Sequence, residues 1–473
     1  MTRRSSLLIL ILALAGCSFL ALCLGVGIAG YYVYSTNANP LAALNAPAAT
    51  NRIVFVGNDF NIYLADPSSG ATTGLTKDGG NDRVYNYPTW SPDNARLAFV
   101  GYTFENGAPK EGALYTISPT GENLTPLYKT AQNFPFYLYW SPDSRVVGFL
   151  ANKDAQNIAL NIARRDEPDS KQEIDFGTPF YWAWSPDSSQ LFTHVGGTRS
   201  NREDARLGVL PFSGNETKRS LESAPGDFQA PQWSNTGTIL YSAQDASSQV
   251  IALRTALDRE PKKLVTYSGR ASFALAPDAN QVAYILTDTS ESLPHLGAMR
   301  VVDATGENMR VISQEPTIAF LWSPDSSRLA YLTATVGENQ SNFDFESPLP
   351  NLDARAIDSN SALATTQPET FFATRNPAQG GELRLQLHWH IWERATNTSR
   401  LVASFVPTSS FLSVVPYFDQ YANSSTFWSP DSQSLVYTTR ETAGSGAVYI
   451  ADATGKTSPR KIGEGVLAFW SWK

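Results

Sequence analysis

The chain has 473 residues, 42% hydrophobic and 12% aromatic, which is enough apolar material for a large buried core. Its formal charge is −8, with 36 basic against 44 acidic side chains, and that balance argues against nucleic acid as a partner. Its 2 cysteines, Cys17 and Cys23, both fall in an N-terminal apolar segment, so the remainder folds without disulfides.

Residues 1–6 carry Arg3 and Arg4 and precede an uncharged run from Leu7 to Tyr34. About 20 apolar residues cross a bilayer, so the run predicts one transmembrane helix at 7–34. The cationic flank puts residues 1–6 in the cytoplasm and everything after the helix outside it. Tyr31, Tyr32 and Tyr34 stand where an interfacial aromatic belt would lie. Two alternatives stay open. Leu14-Ala15-Gly16-Cys17 matches a bacterial lipobox, which would make Cys17 a lipidation site, although Ser18–Val33 stays apolar where lipoproteins turn polar. A cleaved signal peptide would need an apolar core of about 7–15 residues, shorter than this run. The expected location is the cell membrane, single-pass, with the bulk of the chain on the extracytoplasmic side. Residues 35–51, rich in Ala, Asn and Pro, read as a linker.

From residue 52 onward one phrase keeps returning. Trp-Ser-Pro-Asp stands at Trp90–Asp93, Trp140–Asp143, Trp184–Asp187, Trp322–Asp325 and Trp428–Asp431. Altered copies stand at Trp233-Ser234-Asn235, Leu275-Ala276-Pro277-Asp278 and Trp470-Ser471-Trp472. The steps run from 42 to 50 residues, except for one of 106 between Trp322 and Trp428. A fixed period of this size means one supersecondary unit repeated and stacked.

Each unit reads as four short antiparallel strands. An apolar run such as Phe136–Trp140 makes the first. Proline then fixes φ and removes a donor, and the Asp closes a turn onto nearby backbone N–H groups. A second strand follows, for example Val146–Leu150 or Leu329–Leu332. A third ends on a tight turn such as Asp303-Ala304-Thr305-Gly306 or Asp452-Ala453-Thr454-Gly455. A fourth strand closes the unit, as at Arg310–Ile312. Such a sheet has two apolar faces and buries both only by packing on its neighbours.

The repeat region starts in mid-unit, with Ile53–Val56 as a second strand, Asn61–Ala65 as a third and Thr72–Thr76 as a fourth. The missing first strand is Leu467–Trp470, so both ends of the region build one unit and no sheet edge is left open. Counting first strands gives eight. The expected fold is all-β: an eight-bladed β-propeller at 52–473, of four-stranded antiparallel blades closed by its terminal strands and preceded by the single transmembrane helix. The 106-residue step is an insertion at 335–381 in the seventh blade, followed by a third strand at Leu385–Trp392 and a fourth at Arg400–Phe405.

These units resemble the WD-like propeller repeats of the TolB family, with the same Trp-Ser-Pro-Asp opening and Asp-x-x-Gly hairpin over about residues 52–473. The resemblance implies a propeller. It leaves function open, because such repeats serve periplasmic scaffold proteins, the propellers of prolyl oligopeptidase-type enzymes and some polysaccharide lyases. The chain departs from TolB in having no α/β domain before the repeats, and from the peptidases in having no hydrolase domain after them.

The once-per-unit Asp and Trp residues belong to turns and cores rather than to a catalytic centre. No Gly-x-Ser-x-Gly, His-Glu-x-x-His or phosphate-binding loop occurs. His388 and His390 flank Trp389 on a predicted strand and point to one face, the spacing of a metal pair, with no carboxylate placed to complete it. They are the candidate metal residues against a reading as ordinary strand histidines; no cofactor is expected. The insertion interleaves acids with aromatics, and Phe343, Phe345, Phe371, Phe372, Asp344 and Glu346 are the candidate partner-binding residues. The expected function is that of a monomeric, non-catalytic, membrane-anchored scaffold for a protein or an envelope polysaccharide. The alternative is a carbohydrate-active lyase- or hydrolase-like enzyme with its site at the mouth of the propeller channel.

Overall fold

A computed structural model describes residues 49–473, apart from 155–156, 166, 198–204, 213–218, 222–223, 228, 288–295, 337–384 and 442–443. The predicted transmembrane run, Cys17 and most of the predicted insertion lie outside the described residues. Among the described residues no helix is long and apolar enough to cross a membrane.

The described chain is all-β apart from one short helical segment, and it is built of small antiparallel sheets in the manner of a β-propeller. Four sheets have 4 strands each, and two others have 6 and 7. The larger ones arise where a single strand serves two neighbouring units. In Arg310–Trp322 the first half pairs with Gly297–Asp303 and the second with Arg328–Val336. In Arg460–Trp470 the first half pairs with Gly446–Asp452 and the second with Ile53–Gly57. The predicted closure is therefore present, with Ile53 opposite Trp470 and Val56 opposite Leu467. Beyond the insertion, strands at Leu385–Glu393 and Thr398–Phe405 match the predicted third and fourth.

The repeated phrase makes both the turn and the joint between units. Ser91, Ser141, Ser185 and Ser323 each donate a hydroxyl to the Asp two residues on, at 2.6 Å. The same serine oxygens accept the N–H five residues on, as from Val146 at 3.1 Å and Arg328 at 2.9 Å. The next residue is left-handed without being glycine: φ is 62° at Ser144 and Ser188, 60° at Ser326 and 61° at Ser432. That geometry costs about 1–2 kcal/mol for an L residue. It aims the hydroxyl at the preceding unit. Ser144 accepts from Asp93 N–H at 3.0 Å, Ser188 from Asp143 at 3.0 Å, Ser326 from Asp278 at 2.9 Å and Ser432 from Asp325 at 3.1 Å. Four of the Trp rings add a second tie to the same neighbour. Trp140 Nε1 donates to Thr89 O, Trp184 to Tyr139 O, Trp322 to Ala274 O and Trp428 to Leu321 O, at 3.0–3.4 Å.

The joint at the chain ends is built differently. Asn94 stands where the other units carry serine, alanine or glycine; its Nδ2 donates to Lys473 O at 3.0 Å and its Oδ1 accepts from Trp472 N–H at 3.1 Å. Trp472 Nε1 donates to Trp90 O at 3.0 Å, and Asn51 N–H to Lys473 O at 2.6 Å.

One element was not expected from the sequence. The inner strand of the last unit starts at Val406–Pro407 beside Thr439–Arg440 and resumes at Phe427–Trp428 beside Leu435–Val436. Between these pieces the chain forms helix α1 (Ser409–Val414), a 3-10 turn (Val415–Tyr417) and helix α2 (Phe418–Ser424). The first strand counted at Trp428 is thus split in two by a helical insert. Pro407 cannot donate to a ladder, and Thr408 caps α1 by accepting from Phe411 N–H at 3.2 Å.

Candidate functional site

The helical insert lies against the first strands, or the residues just before them, all the way round. Phe418 packs on Phe320 at 4.6 Å between ring centroids, and Tyr421 on Tyr87 and Tyr137 at 5.9 and 5.4 Å. Tyr137 OH donates to Gln420 O at 2.8 Å, Thr89 to Ser424 O, and Thr408 to Val466 O at 2.5 Å. α2 also touches Arg270–Leu275, and α1 the C-terminal strand. A segment in reach of so many first strands occupies the axis about which the units are arranged. Phe411, Leu412, Val414, Val415, Phe418 and Asp419 are all buried there.

Asp419 is the charged group of this insert. Its Oδ2 accepts from the Gln229 side chain and from Ala230 N–H at 3.0 Å. Burial pushes its carboxyl up to about 6, against the pull of those hydrogen bonds. The amide around it is incompletely satisfied: Gln229 Oε1 and Gln420 Nε2 are buried with no hydrogen-bond partner. His194, fully buried nearby, has its pKa pushed down to about 3 by burial, against backbone hydrogen bonding at Gln229 and Gly196, so it stays neutral.

His388 and His390 are on the strand Leu385–Glu393, as expected. His388 Nε2 meets Thr335 Oγ1 at 2.8 Å and its Nδ1 meets Ser404 Oγ at 2.8 Å, so both ring nitrogens are taken by hydroxyls. His390 stacks on Tyr331 at 5.0 Å and bonds Thr333 Oγ1 at 3.1 Å; burial lowers its pKa, and Glu315, 4.0 Å away, pulls the other way. Among the described residues no three His, Cys, Asp or Glu side chains gather as metal ligands. Phe343, Phe345, Phe371, Phe372, Asp344, Glu346 and Cys17 lie outside the described residues.

The strands have two unlike ends. At one, the turn end, the Trp-Ser-Pro-Asp turns join first to second strands, and the chain arrives there through Ala49 and Asn51, which bond Asn94 O and Lys473 O. At the other, the loop end, second strands pass to third strands. The connections there are as short as Asn106–Gly107 and as long as residues 337–384. A groove of about 780 Å³ opens at the loop end, lined by Asp78, Asp82, Arg83, Lys110 and Glu111 among others. Arg83 and Asp78 pair there at 3.4 Å.

No family model and no curated protein matches the chain. Solved structures similar to it include TolB from Acinetobacter baumannii, with 17% identity, TM-score 0.35, and 55% of this chain and 63% of that one covered. They also include a puromycin hydrolase, with 17% identity, TM-score 0.40, 59% of this chain and 48% of that one. A third is oligogalacturonate lyase from Vibrio parahaemolyticus, with 13% identity, TM-score 0.43, 85% of this chain and 97% of that one. The chain thus spans less than two thirds of the TolB and of the puromycin hydrolase it is similar to.

Proposed function

We propose that this protein is an eight-bladed propeller anchored in the membrane through residues 7–34, and that it holds a protein or an envelope polysaccharide without transforming it. The observation that carries this reading is the filled axis. The concave space that a ring of blades offers to a small substrate is taken by α1 and α2, which leaves the two ends of the blades as binding surfaces. Of these, the loop end is the better candidate, since long connections on a rigid scaffold are where binding residues collect. The acidic, aromatic-bearing segment with Phe343, Asp344, Phe345, Glu346, Phe371 and Phe372 leaves from that end. The ring acts as a monomer on the extracytoplasmic side, and Cys17 lipidation is the alternative means of anchoring.

Deleting Ser341–Gly380 from the full chain tests this. The melting temperature of the ring should hold within a few degrees, while cross-linking to envelope components in intact cells is lost. An unchanged cross-linking pattern would remove the segment from the binding surface. Alkaline carbonate extraction of Cys17→Ser separates the two anchors: a helix keeps the protein in the membrane, and a lipoprotein loses it. The second reading, a carbohydrate-active enzyme, is favoured only by the charged groove at the loop end. Lyase or hydrolase turnover of an acidic polysaccharide, abolished by Arg83→Ala, would establish it.

A further inference from the structure

We propose that α1 and α2 form an axial plug whose seating is set by the protonation of Asp419: the neutral carboxyl seats the plug, and ionisation loosens it from the ring. This goes beyond the scaffold reading and does not depend on it. Three observations meet at this residue. The insert interrupts one inner strand, leaving at Pro407–Thr408 and returning at Ser425–Thr426, so it is joined to the ring by two short crossings and no ladder of its own. Its ties to the ring are hydrogen bonds, ring contacts and apolar packing, and the Asp419 bonds to Gln229 and Ala230 are buried among them. Among the described residues, burial and hydrogen bonds, not a neighbouring charge, are what act most on the carboxylate. A buried charge without a counter-ion is costly, and neutralising it removes that cost.

The titratable groups around the insert leave the switch to Asp419. Tyr137, Tyr181, Tyr417 and Tyr421 surround it, and burial raises the values of Tyr137, Tyr181 and Tyr421 far from the acid range. His194, linked through Gln229, is already neutral above about pH 3. The charged groups on the packed elements are Asp227, just before Gln229, and Arg270, at the start of the adjoining strand; both are buried and neither is without a partner. Glu315 is at the exposed start of its strand beside His390. The folded value of Asp419 is raised from 3.8 to about 6. The seating contribution is therefore complete below the value of a free aspartate and is lost as pH rises through about 6.

Hydrogen exchange at residues 409–424 of the full chain, corrected for intrinsic rates, tests this. Opening of the insert should be roughly tenfold more frequent at about pH 7.5 than at about pH 5. Asp419→Asn should remove that dependence and stay protected at both. Tyr137→Phe drops a tie that does not titrate, and should raise opening by the same factor at both. Opening that is pH-independent in the wild type, or that increases on acidification, overturns the proposal even if the Asn variant fails to fold. So would a pH dependence that persists in Asp419→Asn.

Discussion

The ring holds aspartates in two contrasting settings. Those of the repeated turns are partly exposed and locally satisfied. The hydrogen bond from Ser185 leads in holding Asp187 below the usual carboxylate value; at Asp325 burial pulls upward but is outweighed by Ser323 and Ser327. Asp419 is the reverse case, buried and raised, with its partners 189 and 190 residues away in the chain. Asp93, Asp187, Asp278 and Asp325 stabilise the fold above the unfolded carboxylate value and lose that as pH falls through their lowered values. Asp419 contributes below that value and loses it as pH rises through about 6. The two sets pull the optimum from both sides, toward the interval between about pH 4 and pH 6. The comparison teaches that a group copied in every unit is cheap to satisfy in place, while a group that occurs once draws on distant parts of the fold.

The comparison can be broken or sharpened at several strengths. Trp428→Ala empties a site that is 1% exposed and cuts the tie to Leu321 O, so denaturant titration should show a loss of about 3–5 kcal/mol. A loss below about 1 kcal/mol would mean the Trp ring is not what joins the units. Asp419→Asn should stabilise the protein by roughly 3 kcal/mol near pH 7.5 and by little near pH 4, from the raised value of the buried carboxyl. Melting curves across that range check the sign; a gain that grows on acidification contradicts it. Ser323→Ala should cost about 1 kcal/mol near pH 7 and less as pH falls, since it removes a bond that holds Asp325 below the usual carboxylate value. The smallest effect belongs to Arg165→Ala. Its partner Asp93 has a side chain 42% exposed, so the loss should stay within about 0–1 kcal/mol and vanish in high salt.

The legibility of the sequence follows the same division. The turns could be read because the phrase returns with a period, and one copy interprets the others. Even the closure could be read, from the missing first strand before Ile53 and the spare one at Leu467–Trp470. The helical insert was passed over. Its signal was present in Thr408 as a cap and in Phe411, Leu412, Val415 and Phe418 at helical spacing. Pro416 interrupts that pattern, and a segment of sixteen residues between two strand signals competes poorly with a repeat seen many times over. Asp419 could not be singled out at all, because what distinguishes it is Gln229 and Ala230, whose proximity is a property of the ring. The histidine pair was placed on the right strand, but the hydroxyls of Thr335, Thr333 and Ser404 that occupy it come from neighbouring strands.

The pairing of Ile53–Gly57 with the end of Arg460–Trp470 also has a kinetic side. During synthesis the early strand stands as a bare edge until some four hundred later residues have left the ribosome. Loops of that length close slowly, so maturation should end on this single junction, with the nascent arc exposed to aggregation until it forms. Once formed, the junction lets no unit peel away from an end, and resistance to unfolding by force or protease should reside there more than in any one sheet.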